Sequence, residues 1–96
     1  MKTLQEITEL LSRHKSKLFS DYPTQSLAVF GSYLRKEQNK ESDLDIMVEF
    51  SDKIGIRFID LAEEIEQIIG FKVDLISKKG IKEDYLKQIN SDLVYV

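Results

Sequence analysis

The apolar pattern of this chain switches repeatedly between two periods, and that alternation restricts its fold more than any other feature. Leu4, Ile7, Leu11, His14 and Leu18 recur at spacings of three and four, the stripe of one helix face. Thr3, with Glu6 three residues on, forms the reciprocal capping pattern that starts such a helix. Pro23 ends it, because the residue before a proline is driven out of the helical region. Ser26 to Phe30 is a short apolar run stopped by Gly31 and reads as a buried strand. From Asp43 to Phe50 the period is two. Leu44, Ile46, Val48 and Phe50 share one face; Asp43, Asp45, Met47 and Glu49 share the other. The helical period returns at Phe58, Leu61, Ala62, Ile65, Ile68 and Ile69, with Asp60, Glu63, Glu64 and Glu66 on the solvent side. Gly70 is placed to stop that helix. Phe71 to Ile76 alternates again, with Lys72, Asp74 and Ile76 opposite Phe71, Val73 and Leu75. Ile81, Tyr85, Leu86 and Ile89 predict a last helix, and Leu93 to Val96 a short closing strand. Strands alternating with helices predict an α/β (α+β) fold, a small mixed sheet flanked by helices.

Composition narrows the chemistry. The 96 residues fit one domain, 1–96, without repeat or linker. No cysteine is present, which excludes a disulfide framework, a thiolate metal site and a cysteine nucleophile. His14 is the single histidine and lies on an apolar stripe, where it reads as a packed or boundary residue. Apolar runs are only a few residues long, and the N-terminal stretch is acidic where a secretory signal is apolar, so a cytoplasmic protein without a membrane span is expected. Fourteen Lys and Arg face 17 Asp and Glu, a net charge of −3. That balance disfavours direct binding along a long nucleic-acid backbone.

The informative segment is Gly31-Ser32, then ten residues, then Asp43-Leu44-Asp45. Glycine after a strand lets the backbone approach an anion, and a serine hydroxyl adds a donor for phosphate oxygens. Asp43 and Asp45, two apart on a strand, point the same way with Cβ atoms roughly 7 Å apart. Their oxygens suit Mg²⁺, which is commonly held by one or two carboxylates plus substrate phosphates. Either element alone is an ordinary turn or strand edge. Their combination arises by chance on the order of once in a thousand chains of this length. Asp74 adds a carboxylate in an apolar strand that reads as buried, where it needs a cation; Lys72, Lys78 or Lys79 could serve structurally. If its strand lies beside that of Asp45, three carboxylates meet on one face. Such a set suits two Mg²⁺ ions in phosphoryl or nucleotidyl transfer, with Asp74 able to accept the nucleophile's proton. Lys78, Lys79 and Lys82 form a basic turn after it, read as surface charge within possible reach of phosphates. The acidic side of the second helix reads as a solvated face that could meet a basic partner.

These residues resemble the minimal nucleotidyltransferases of the DNA polymerase beta superfamily. The resemblance runs from Leu27 through Ile76 and is carried by GSYLRKEQNKESDLDIMVEF and KVDLI. It is similar in particular to the MNT antitoxins encoded beside HEPN-domain ribonuclease toxins. The resemblance implies a polymerase-beta-like nucleotidyltransferase core, two Mg²⁺ ions, ATP as substrate, and transfer of AMP to a tyrosine of the toxin. It implies that Gly31 and Ser32 hold the nucleotide phosphates, that Asp43 and Asp45 bind both metals, and that Asp74 is the third catalytic carboxylate. Where such proteins read Ala-Arg-Gly after Gly-Ser, this chain has Leu34-Arg35-Lys36. Arg35 is in place to touch the triphosphate, and Lys36 replaces a glycine. Two other functions stay open: an antitoxin that neutralises by binding alone, and a nucleotidyltransferase acting on a small molecule or RNA.

Overall fold

A computed structural model describes residues 3–30 and 44–96. The first helix, α1 (Leu4–Asp21), starts where the capping box places it. The Thr3 hydroxyl accepts from the Glu6 amide at 3.1 Å, and the Glu6 carboxylate accepts from the Thr3 amide at 3.2 Å. Tyr22 is extended, as a residue before Pro23 must be. Strand β1 (Thr24–Phe30) begins two residues before the expected start, because Thr24 already pairs with Phe50 across a bulge. After it come β2 (Leu44–Phe50), α2 (Arg57–Ile69), β3 (Val73–Ser77), α3 (Glu83–Ile89) and β4 (Val94–Tyr95). Short 3₁₀ turns at Lys78–Gly80 and Asn90–Asp92 bracket α3.

The described strands form one mixed sheet in the order β3-β2-β1-β4. β1 is antiparallel to both β2 and β4; β2 and β3 are parallel. A parallel pair needs a crossover, and α2 supplies it. One sheet face presents Leu27, Val29, Leu44, Ile46, Val48, Val73 and Leu75 to α1 and α2, which bury Ile7, Leu11, Leu18, Leu61, Ile65 and Ile69 against it. The opposite face has a smaller core, Ala28, Phe30 and Met47 under Ile89 of α3. The two helices on the first face are tied by Lys17, which reaches Asp21 at 3.0 Å and Glu64 at 2.9 Å. These hydrogen bonds, Glu64 first, hold the Lys17 ammonium charged well above its usual range.

Four expectations are corrected. Phe71 and Lys72 precede β3 rather than belonging to it, since Gly70 caps α2 in the left-handed region (φ 95°) and turns the chain there. Glu66 is half-buried rather than on the solvent side, and its carboxylate accepts from the Val73 amide at 3.0 Å, pinning the start of β3. Glu64 is likewise half-buried, drawn in by Lys17. Tyr85, expected on the apolar stripe of α3, is exposed. The stripe of a helix of only seven residues is carried by Leu86 and Ile89 instead.

Ile65 sits at the centre of the larger core with no exposed surface. Ile65→Ala should lower the unfolding free energy by about 2–5 kcal/mol, read as an earlier urea midpoint with an unchanged slope.

Candidate active site

The period-two pattern of β2 determines which way its acidic residue points. Leu44 and Ile46 are fully buried beneath α2, so Asp45 between them projects from the other face. β3 repeats the arrangement: Val73 and Leu75 face the core and Asp74 faces away. Asp45 and Asp74 are direct register partners across the parallel pair, each the second residue of its strand. Neighbouring strands lie about 4.8 Å apart, so the two carboxylates share one face at one end of the sheet. Phe30, the last residue of β1, completes that row opposite Asp45 and is fully buried. It forms an apolar wall beside the half-buried Asp45.

Asp74 is exposed, not buried as its apolar strand suggests. β3 is an edge strand, and α3 spreads its apolar contacts over Ala28, Phe30 and Met47. Asp74 therefore needs no cation for its burial. Lys78, one of the cations that could neutralise it, instead contacts Glu49 at 3.5 Å. Glu49 also accepts from the Ser26 hydroxyl at 3.3 Å. This polar group lies on the face of Asp45, as the alternation of β2 predicts for Glu49, but its contacts with Ser26 and Lys78 depend on strand pairing that the sequence does not give.

Gly31, Ser32, Arg35, Lys36 and Asp43 lie outside the described residues. Among the described residues, no group of three acidic or histidine side chains is arranged to hold a metal ion. The hard oxygen donors present are the Asp45–Asp74 pair, whose chemistry fits Mg²⁺ completed by substrate phosphates. His14 is half-buried, with Nδ1 at 2.9 Å from the Leu10 carbonyl oxygen, the boundary residue expected. Among the described residues, no helix is long and apolar enough to cross a membrane.

A mixed sheet of this order, with a carboxylate pair at one end, is compatible with a nucleotidyltransferase, and the comparison of sequences identifies the class. Residues 11–95 match the nucleotidyltransferase domain, and the chain belongs to that family. Within it the chain stands with the minimal protein adenylyltransferases. The protein adenylyltransferase MntA of Thermococcus cleftensis is 38% identical over 97 residues, covering 100% of this chain and 98% of the relative. A Methanocaldococcus jannaschii protein, provisionally named a protein adenylyltransferase, is 51% identical over 100 residues, with both chains fully covered. A solved structure provisionally assigned as a minimal nucleotidyltransferase superposes with a TM-score of 0.73 at 25% identity, covering 92% of this chain and 93% of that one. A toxin–antitoxin crystal structure with AMP-PNP superposes at 0.67 with 26% identity, covering 86% of this chain and 69% of its own.

Proposed function

We propose that this chain transfers AMP from ATP to a tyrosine hydroxyl of a HEPN-domain ribonuclease toxin and so acts as its antitoxin in the cytoplasm. The observation that carries this reading is the in-register pairing of Asp45 with Asp74 at one end of a nucleotidyltransferase sheet. The AMP-PNP held by the similar toxin–antitoxin complex supports a nucleoside triphosphate as donor. The adenylyltransferase MntA relative supports AMP as the group moved and a protein as its acceptor.

In this reading the 96 residues act as one nucleotidyltransferase domain. Asp43, Asp45 and Asp74 would hold two Mg²⁺ ions, which would neutralise the triphosphate and lower the pKa of the acceptor hydroxyl. Gly31 and Ser32 would hold phosphate oxygens, and Arg35 would contact the triphosphate. Asp74, exposed at the sheet edge, is open to an incoming side chain and takes the hydroxyl proton. The acceptor oxygen bonds to the α-phosphorus as the α–β phosphoanhydride bond breaks, and pyrophosphate leaves.

The test incubates the chain with α-labelled ATP, Mg²⁺ and the HEPN-domain protein encoded beside it. Label should appear on a tyrosine of that protein, with a mass gain of one AMP per transfer. Neutralisation of the toxin without any label on it overturns transfer in favour of inhibition by binding.

A further inference from the structure

The outer side of α2 carries a second pattern that its packing does not use. Ile56, Ile59, Asp60 and Glu63 fall at i, i+3, i+4 and i+7, turned away from the core face of Leu61, Ile65 and Ile69. All four are exposed; Ile56 at 86% and Ile59 at 61% are the two most exposed large apolar side chains among the described residues. Ile56 also occupies the cap position of α2, where it makes no side-chain hydrogen bond. Its backbone is already helical (φ −66°, ψ −17°), and its largely exposed side chain adds little to the core. Further along α2, Glu63, Glu66, Gln67, Gly70 and Phe71 line a shallow groove of about 420 Å³. Two apolar knobs thus lead into an acidic groove along a helix of 13 residues, a strip about 20 Å long. It ends at Phe71, three residues before Asp74.

We propose that this strip is the docking surface for a basic, amphipathic segment of the partner toxin. The proposal rests on the antitoxin reading above. Charge selects the occupant. Asp60, Glu63 and Glu66 repel nucleic acid and anionic lipid, and a second copy docked face to face would oppose its own carboxylates. A protein segment with Lys or Arg beside apolar residues satisfies both halves of the strip. Docking there leaves the Asp45–Asp74 row uncovered, on the opposite sheet face, and brings the partner to the end of α2 from which the chain enters β3.

The test compares wild type, the double variant Ile56→Ser/Ile59→Gln, and the double variant Asp60→Asn/Glu63→Gln. Each is titrated with the neighbouring HEPN-domain protein by calorimetry and assayed for AMP transfer to it. The isoleucine variant should bind at least about 10-fold more weakly, with its melting midpoint unchanged or raised, and should lose transfer through KM rather than kcat. The charge variant should bind more slowly, with a flatter dependence on salt. Unchanged affinity in the isoleucine variant, while wild type still binds and modifies the toxin, overturns the surface and spares the antitoxin reading. A melting midpoint that falls with the affinity also overturns it, as does a wild-type dimer that the variant abolishes. Wild type that neither binds nor modifies the toxin fails the antitoxin reading itself and removes the proposed occupant with it.

Discussion

Asp74→Ala is expected to abolish AMP transfer while leaving the protein folded. The side chain is exposed on an edge strand, so its removal creates no cavity and strands no buried partner. Such surface substitutions usually alter stability by about 0.5 kcal/mol or less. Chemistry is another matter. Loss of the group proposed to take the acceptor's proton costs about 10²- to 10⁴-fold, and loss of a metal ligand adds to it. A rate lower by at least about 10³-fold is the expected outcome, with the circular dichroism spectrum of wild type and a melting midpoint at or slightly above it. ATP should still bind to some degree, since Asp45 and the phosphate-holding residues remain. The toxin should still dock, because the strip on α2 lies apart from Asp74. Co-expression then separates the two modes of neutralisation: cells should stay poisoned if transfer is the mechanism. Protection equal to wild type at equal protein level, with unmodified toxin in both, makes catalysis dispensable.

Local physics made much of this architecture legible in the sequence, and long-range order accounts for the rest. The ends of α1 were readable because a capping box and a proline act on their immediate neighbours. The face of Asp45 was readable because Leu44 and Ile46 on either side must be buried. Its adjacency to Asp74 could be stated only conditionally, since periodicity does not say which strands pair. Parallel pairing through α2 supplied that answer. The exposure of Asp74 was misread for the same reason. Val73 and Leu75 describe the inward face of β3, but only the strand order reveals an edge. Glu66 was assigned to solvent from helical spacing, and its bond to the Val73 amide depends on the turn at Gly70. Ile56 and Ile59 escaped notice because a stripe template collects the apolar residues that fit and passes over those that do not. The Gly31–Ser32 step, Arg35 and Asp43 lie outside the described residues, so their roles rest on spacing and resemblance.

Asp45 gives the second large effect, and its sign should reverse with ligand. Asp45 and Asp74 are carboxylates directly opposite on adjacent parallel strands, where like charge works against the pairing. Asp45→Asn keeps the shape and removes one charge, so the unliganded variant should be as stable as wild type or slightly more stable. Ile46→Ala, one residue along and facing the core with no exposed surface, should instead cost about 2–5 kcal/mol. Neighbours on one strand therefore respond oppositely because they face opposite sides of it. With Mg²⁺ and ATP the order should invert. A ligand bound only by the native state adds about 2.7 kcal/mol at a hundred times its dissociation constant. Wild type should gain that increment as a rise in melting midpoint, and the gain should shrink when Mg²⁺ is withheld, since phosphates and carboxylates complete the ion's shell together. Asp45→Asn should gain little under either condition and should transfer no AMP. An Asp45→Asn protein that unfolds as Ile46→Ala does would make Asp45 a structural residue. An equal MgATP-induced shift in wild type and variant would remove Asp45 from the nucleotide site, and the proposed metal set with it.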